Sequence, residues 1–257
     1  MSIIGNRQNI FLLEEIVKRN FASKYKDSVI GIFWSILKPL LMMIIFTIIF
    51  STIFAGNIEY FAVYFLAGRC IYDFFMASVS SCLYVMRSNQ NIIQRTPVPK
   101  HIFILGAVIS ESLNFLISLV ILVAVMIVIK CPFHFETMFL GIIPIISLIL
   151  MTLGIGFLLS ILGVYYKDIQ HLWSVISILI MYSSALFYPM DIIPEPYKSY
   201  IILNPLYWVI DQFRAFVIYG VMPNTLNLIN TAIISLIILV IGIIVYEKYQ
   251  NKVMMKF

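Results

Sequence analysis

The chain has 257 residues, is 62% hydrophobic and only 11% charged, and carries a net charge of +5. A soluble domain carries about 25% charged residues, and at a mean hydropathy of +1.01 no soluble fold hides so much apolar surface. What remains is a polytopic membrane protein without a large aqueous domain, whose basic excess reads as topology and contact with anionic lipid, not nucleic-acid binding.

The first element is an amphipathic helix over residues 8–22, QNIFLLEEIVKRNFA. Ile10, Leu13, Ile16, Val17 and Phe21 recur at helical spacing. Glu14–Lys18 and Glu15–Arg19 are expected to pair four residues apart on the other face. A spanning segment follows about ten residues on, so the helix is expected to lie in the membrane interface. No cleavable signal peptide is expected, because the first long apolar run starts only near residue 32.

Six apolar runs follow at 32–54, 61–84, 102–129, 139–163, 172–188 and 226–246, each near the roughly 20 residues that cross a hydrocarbon core. Trp34 and Lys38 open the first at interface level, with Pro39 tolerated in its first turns. The second contains Arg69 and Asp73, four apart on one face. The third contains Glu111 and Asn114, three apart. Ionisable groups are costly in a bilayer and face a bundle interior or water. Two readings stay open for both pairs, a polar pathway or a packing contact between helices.

The polar loop RSNQNIIQRTPVPKH, 87–101, joins spans two and three. It is a plain basic loop or a short helix that a soluble partner grips. The loop VYYKDIQHLW, 164–173, places His171 among charged neighbours, as a solvated loop histidine or a proton relay. Gly154 and Gly156 sit mid-span, where small residues let helices approach. Cys70, Cys82 and Cys131 have no metal-ligand spacing, and Cys70 and Cys82, inside an apolar run, read as small buried thiols.

The most irregular stretch is FYPMDIIPEPYKSYIILNPLYWVIDQFRAFVIYG, 187–220, between spans five and six. Pro194 and Pro196 are expected to open a short helix that runs to about Leu203. Asn204 then caps a second helix with Pro205 at its first position. Leu206, Val209, Ile210, Phe213 and Val217 form its apolar stripe, and Asp211 and Arg214 share its polar side. Gly220 ends it, ahead of Pro223. The expectation is a re-entrant hairpin over 189–222 whose charges face a wet cavity, a candidate gate.

Charge fixes the orientation. Twelve basic residues outside the spans lie on one side: Arg7, Lys18, Arg19, Lys24 and Lys26 before span one; Arg87, Arg95 and Lys100 after span two; Lys167 after span four; and Lys248, Lys252 and Lys256 at the end. Only three, Lys130, Lys198 and Arg214, lie opposite. Both termini are therefore expected in the cytoplasm. There is no GxxxxGK[ST] phosphate loop, no HExxH, and no acidic cluster for a metal. If ATP energises transport, the ATPase is another chain.

Five blocks, in order along nearly the whole sequence, resemble the membrane subunit of type-2 ABC exporters of polysaccharides, the O-antigen, teichoic acid and capsule export group. They are KRNFASKYKDSVIGIFWSILKPLLMMIIFTIIFSTIF, YFLAGRCIYDFF, NQNIIQRTPVPKHIFILGAVIS, VYYKDIQHLW, and the 187–220 stretch with its F-Y-P, P-E, N-P and F-R elements. Two positions depart from the family: Arg69 stands where an apolar residue is usual, and Lys167 replaces an arginine, losing its bidentate fork.

The resemblance implies an all-α domain spanning 1–257, with six spans, an interface helix and an outer helical hairpin, working as a homodimer. It also implies two copies of an ATPase subunit, which would bind ATP and magnesium; no cofactor is expected in this chain. The substrate implied is an undecaprenyl-linked polysaccharide, and the location is the bacterial cytoplasmic membrane. The loop that docks on the ATPase would be Ser88, Asn89, Gln90, Asn91, Ile92, Ile93, Gln94 and Arg95, continuing to about Pro99. The cytoplasmic mouth would be flanked by Lys18, Arg19, Lys24, Tyr25, Lys26 and Trp34.

A long polar glycan cannot cross hydrocarbon, so its path must be lined by protein. Sugar rings pack on aromatic faces, which makes Trp34, Tyr64, Tyr72, Phe187, Tyr188, Tyr207 and Trp208 candidates, against an ordinary interfacial aromatic belt. Arg69, Asp73, Asn204, Pro205, Asp211 and Arg214 complete the expected channel and gate. Two alternatives remain. A proton-coupled secondary transporter would use Arg69, Asp73 and Glu111, but would show internal repeats, and none is found. A type-2 ABC subunit for lipid or drug fits the N-terminal and outer-loop motifs poorly.

Overall fold

The computed structural model describes residues 7–25, 29–53, 58–96 and 98–253. They form eleven α-helices, and there is no strand among the described residues: α1 (Arg7–Tyr25), α2 (Trp34–Ile53), α3 (Phe61–Ser88), α4 (Gln90–Arg95), α5 (His101–Ile129), α6 (Phe135–Met138), α7 (Ile142–Tyr165), α8 (Ile169–Ser183), α9 (Glu195–Ile202), α10 (Pro205–Arg214) and α11 (Thr225–Val253). A π-helical turn, Ala215–Tyr219, extends α10. The chain is thus an all-α integral membrane protein.

Among the described residues five helical segments are long and apolar enough to cross a membrane: Gly31–Phe50, Phe61–Ser88, His101–Ile129, Phe135–Tyr165 and Thr225–Lys252. These correspond to five of the six expected runs. The run expected at 172–188 differs. Its helix, α8, has 15 residues and ends at Ser183, about 22 Å of rise against a core of about 30 Å. Ser184–Tyr188 then leave the helix, with Ala185 at a positive φ of 47° and Ala185 and Leu186 fully buried. Further on, α9 and the α10 segment meet at a bend of 94°.

The core is built on α3, whose apolar residues are almost all covered while a polar strip is not. Phe46 and Phe50 of α2 stack with Phe65 and Phe187 at 4.8 to 5.9 Å between ring centres. On the other side α7 and α11 run close together. A Cβ on Gly154 would sit 2.6 Å from the Ile238 carbonyl oxygen, and one on Gly242 would strike the Gly154 carbonyl. Such backbone contact is the reason membrane helices place small residues at crossings.

The amphipathic helix α1 lies along α5. Ile16 is 3% exposed and seats over Gly106, where a Cβ would come within 2.6 Å of its Cγ2. The charges of α1 do not pair as expected. Lys18 reaches Glu15, three residues away, at 3.4 Å, whereas Arg19 and Lys24, which flank the buried Ile16 side of the helix, bond to Asn89 and Glu111.

Candidate functional site

A cleft of about 590 Å³ opens where α1, α2, α3, α5 and α8 converge, its wall mixing apolar side chains such as Phe74, Met76 and Phe115 with polar stripes. From α3 it is lined by Tyr72, Asp73, Ser80 and Tyr84, and from α5 by Glu111, Asn114 and Ser118. The α5 positions recur at three- and four-residue intervals, and Asp73, Ser80 and Tyr84 at seven and four, so each set lies along one stripe of its helix. Gln170, Trp173, Ser174 and Ser177 make the matching stripe on α8. On α2 the wall is Trp34, Ser35, Lys38 and Pro39. Pro39 has no N–H to offer the Ser35 carbonyl one turn before it, which adds an acceptor to this wall.

Two hydrogen bonds hold the short helix α8 on α3. The Trp173 indole Nε1 donates to Ser80 Oγ at 2.9 Å, and the Tyr72 hydroxyl donates to the Ser177 carbonyl at 3.0 Å. Arg69 Nε bonds Asp73 Oδ2 at 2.9 Å, and its guanidinium sits 5.4 Å from the centre of the Tyr72 ring. Asp73 thereby faces the cleft as a partnered anion. Glu111 accepts from Asn114 Nδ2 at 3.1 Å, from Ser81 Oγ at 3.4 Å and from Lys24 Nζ at 2.6 Å.

A second cleft of about 450 Å³ lies under α1, between α3 and α5, with Arg19, Ser23, Ser88 and Ser110 among its walls. Arg19 Nη2 bonds Asn89 Oδ1 at 2.6 Å. Asn89 begins the loop expected to grip a partner, and that loop contains a helix, α4. The Asn89 carbonyl accepts from the N–H groups of Ile92 and Ile93, and its side chain returns to the Val85 carbonyl at 2.8 Å. Ile93 is buried, Gln90 half-buried, and Ser88, Asn91, Ile92, Gln94 and Arg95 are exposed. Lys100 Nζ bonds the Gln250 carbonyl at 2.8 Å, so this loop and the last helix share one end of the bundle with α1.

The opposite end is held by Arg214. This side chain is 3% exposed and spends its guanidinium on three carbonyls: Tyr64 at 3.1 Å, Ala185 at 3.0 Å and Leu186 at 3.2 Å. Its carbon lies 3.4 Å from the centre of the Tyr64 ring. A Cβ on Gly68, one turn beyond Tyr64, would run into the guanidinium. Arg214 therefore differs from the expectation of a charge facing a wet cavity. The helix α8 ends without a cap, and the carbonyls beyond it need donors in a buried place.

The other gate candidates are divided in the same way. Asn204 caps α10 as expected, with Oδ1 accepting from the Leu206 N–H and Nδ2 donating to Ser183 and Ser184, and Pro205 is the first residue of the helix. Asp211 is exposed. Tyr64 and Phe187 are buried in the core and line neither of these two clefts, because each packs where α3 meets the break after α8; the Tyr64 hydroxyl donates to the Tyr188 carbonyl at 3.0 Å. Tyr207 is buried against Trp208, whose Nε1 donates to the Ile202 carbonyl at 2.9 Å, and the Tyr188 hydroxyl donates to the Tyr182 carbonyl.

Of the residues expected at the mouth, Lys24 and Trp34 line the large cleft and Arg19 and Lys24 the small one. Lys18 is exposed beside Glu15. Lys26 and the side chain of Tyr25 lie outside the described residues. Sequence reasoning did not single out Ser80, Trp173, Ser174 or Ser177. The available signal was the small-polar stripe at 170, 174 and 177 in an otherwise apolar helix.

Residues 12–218 match the family described as ABC-2 type transporter. Over 243 residues the chain is 28% identical to an O-antigen export system permease protein of Klebsiella pneumoniae, covering 94% of this chain and 93% of the relative. A permease of the same description from Myxococcus xanthus is 23% identical over 246 residues, with the same coverage. The polysialic acid transport protein KpsM of Escherichia coli is 25% identical over 243 residues, 93% of each chain.

Proposed function

The chain belongs to the ABC-2 type transporter family, and from that membership we propose that it is the membrane subunit of an ATP-driven exporter of a lipid-linked bacterial cell-surface polysaccharide. A subunit of this kind is not itself catalytic; ATP and magnesium belong to a separate ATPase chain that docks on α4. The working unit pairs two copies of this chain with two ATPase subunits in the cytoplasmic membrane, with both termini cytoplasmic. The large cleft, with polar stripes set among apolar and aromatic side chains, carries this reading. It gives hydroxyl, amide and carboxylate partners for sugar hydroxyls, and the rings of Trp34, Tyr72 and Trp173 for sugar faces.

The cleft is bounded by α2 and α8, whose apolar residues are left largely uncovered, among them Leu41, Ile45, Leu172, Val175 and Leu179. A second copy placed against these helices would turn two clefts into one enclosed path. Helix-level contacts of this type are driven by packing, since lipid is as apolar as leucine. The test is reconstitution with and without the co-expressed ATPase, reading transfer of labelled polymer across the membrane. Transfer is expected only with ATPase and ATP. Transfer that follows a proton gradient with no ATPase present overturns the reading.

A further inference from the structure

The two clefts meet at one ion pair. Among the described residues they share two lining side chains, Lys24 and Glu111, and these are bonded to each other at 2.6 Å. The pair is held unequally. Glu111 has a side chain 9% exposed and is also bonded to Ser81 and Asn114. Lys24 is 43% exposed, sits in the last turn of α1, and makes its one hydrogen bond to a described residue here. The glutamate is thus fixed and the lysine, on a flexible four-carbon stem, is the part that can swing.

We propose that the Lys24–Glu111 pair is a partition between the clefts, opened when a phosphate headgroup in the small cleft draws Lys24 away from Glu111. This rests on reading the chain as an exporter of a lipid-linked substrate. A phosphate group brings more negative charge and more acceptor oxygens than a carboxylate, and Lys24, at 43% exposed, is the partner such a group can reach. Glu111 is not stranded by the exchange, since Ser81 and Asn114 still bond it. Arg19 supplies a second cation to the small cleft, with one of its five N–H donors on Asn89. Beyond the partition the next cation in the large cleft is Lys38, so the headgroup passes from one cationic partner to another.

A binding cycle tests this on the full-length protein in nanodiscs. Farnesyl pyrophosphate is the probe, inorganic pyrophosphate the competitor, and farnesol the uncharged control. Lys24→Gln is expected to weaken pyrophosphate binding about ten-fold, the scale of one charge-assisted hydrogen bond. Glu111→Gln frees the lysine and is expected to tighten it several-fold. In the Lys24→Gln background, Glu111→Gln is expected to change nothing, because Glu111 acts only through Lys24. Lys24→Arg retains binding, and Glu111→Asp, which keeps the charge but shortens its reach, tightens it as Glu111→Gln does.

Competition by inorganic pyrophosphate assigns recognition to the phosphates alone, and its failure to compete assigns it to the lipid-borne headgroup; either supports the proposal. Farnesol binding as well as the pyrophosphate, no pyrophosphate binding, or a Glu111→Gln effect that persists without Lys24 overturns it. Loss of the cycle while ATP-driven export continues overturns this inference alone. Failed export with the cycle intact overturns the exporter reading alone.

Discussion

Two cations, Arg214 at one end of the bundle and Lys24 at the other, show how differently this protein uses charge at its polar sites. Arg214 is buried and divides its donors among three backbone carbonyls. Lys24 is half exposed and bonds one carboxylate. A planar guanidinium with several fixed bonds ties segments together, while a single ammonium on a long stem can change partners. The first arrangement makes the end around α10 rigid: the break after α8, the start of α3 and the hairpin are joined through one side chain. The second leaves the end around α1 able to rearrange.

The comparison is broken most severely by Arg214→Leu. Three buried carbonyls each lose a bond, the Leu186 carbonyl its one donor among the described residues while Ala185 keeps the Tyr64 hydroxyl, so destabilisation of about 3 kcal/mol is expected, read as a lowered unfolding temperature in detergent. Hydrogen exchange should rise at 184–188 before it rises in α5. Arg214→Lys should recover part of the loss, since one ammonium cannot span all three acceptors. Next in size is Gly68→Ala, which puts a Cβ against the guanidinium. Overpacking of this kind costs about 1–3 kcal/mol, and combining it with Arg214→Leu should give less than the sum in a double-mutant cycle.

Asn204→Ala removes the cap of α10 and the bonds to Ser183 and Ser184. About 1 kcal/mol is expected from a lost cap, measured by the same unfolding assay. At the other end Lys18→Ala sharpens the contrast by doing little. Its pair with Glu15 is exposed on both sides, and a change within about 0.5 kcal/mol is expected. A large loss there would mean that α1 is held by its surface charges, and not by Ile16 over Gly106.

Much of the local structure was legible in the residues. The Asn204–Pro205 start, the Arg69–Asp73 and Glu111–Asn114 pairs, and the close crossing at Gly154 all follow from chemistry within a few residues of each position. The α1 ion pairs were read wrongly for an instructive reason. Spacing alone pairs Glu15 with Arg19, but Arg19 reaches the start of α4, where Asn89 Oδ1 accepts its bond at 2.6 Å. Tyr64 and Phe187 have the same cause: an aromatic ring near a membrane surface serves equally as a belt, a path or a core residue, and only its neighbours choose among them.

The sequence by itself determined the membrane class, the helical segments, the side on which basic charge collects and the points at which proline and asparagine restart the chain. These depend on hydropathy and on backbone chemistry that acts over a turn or two. Only the tertiary structure decided that span five stops at Ser183, that Arg214 supplies donors to the carbonyls beyond it, and that Lys24 and Glu111, 87 positions apart, close one cleft from another. Those outcomes depend on which buried polar groups meet in a medium that leaves none unsatisfied, and partners so distant in the chain carry no local mark of each other.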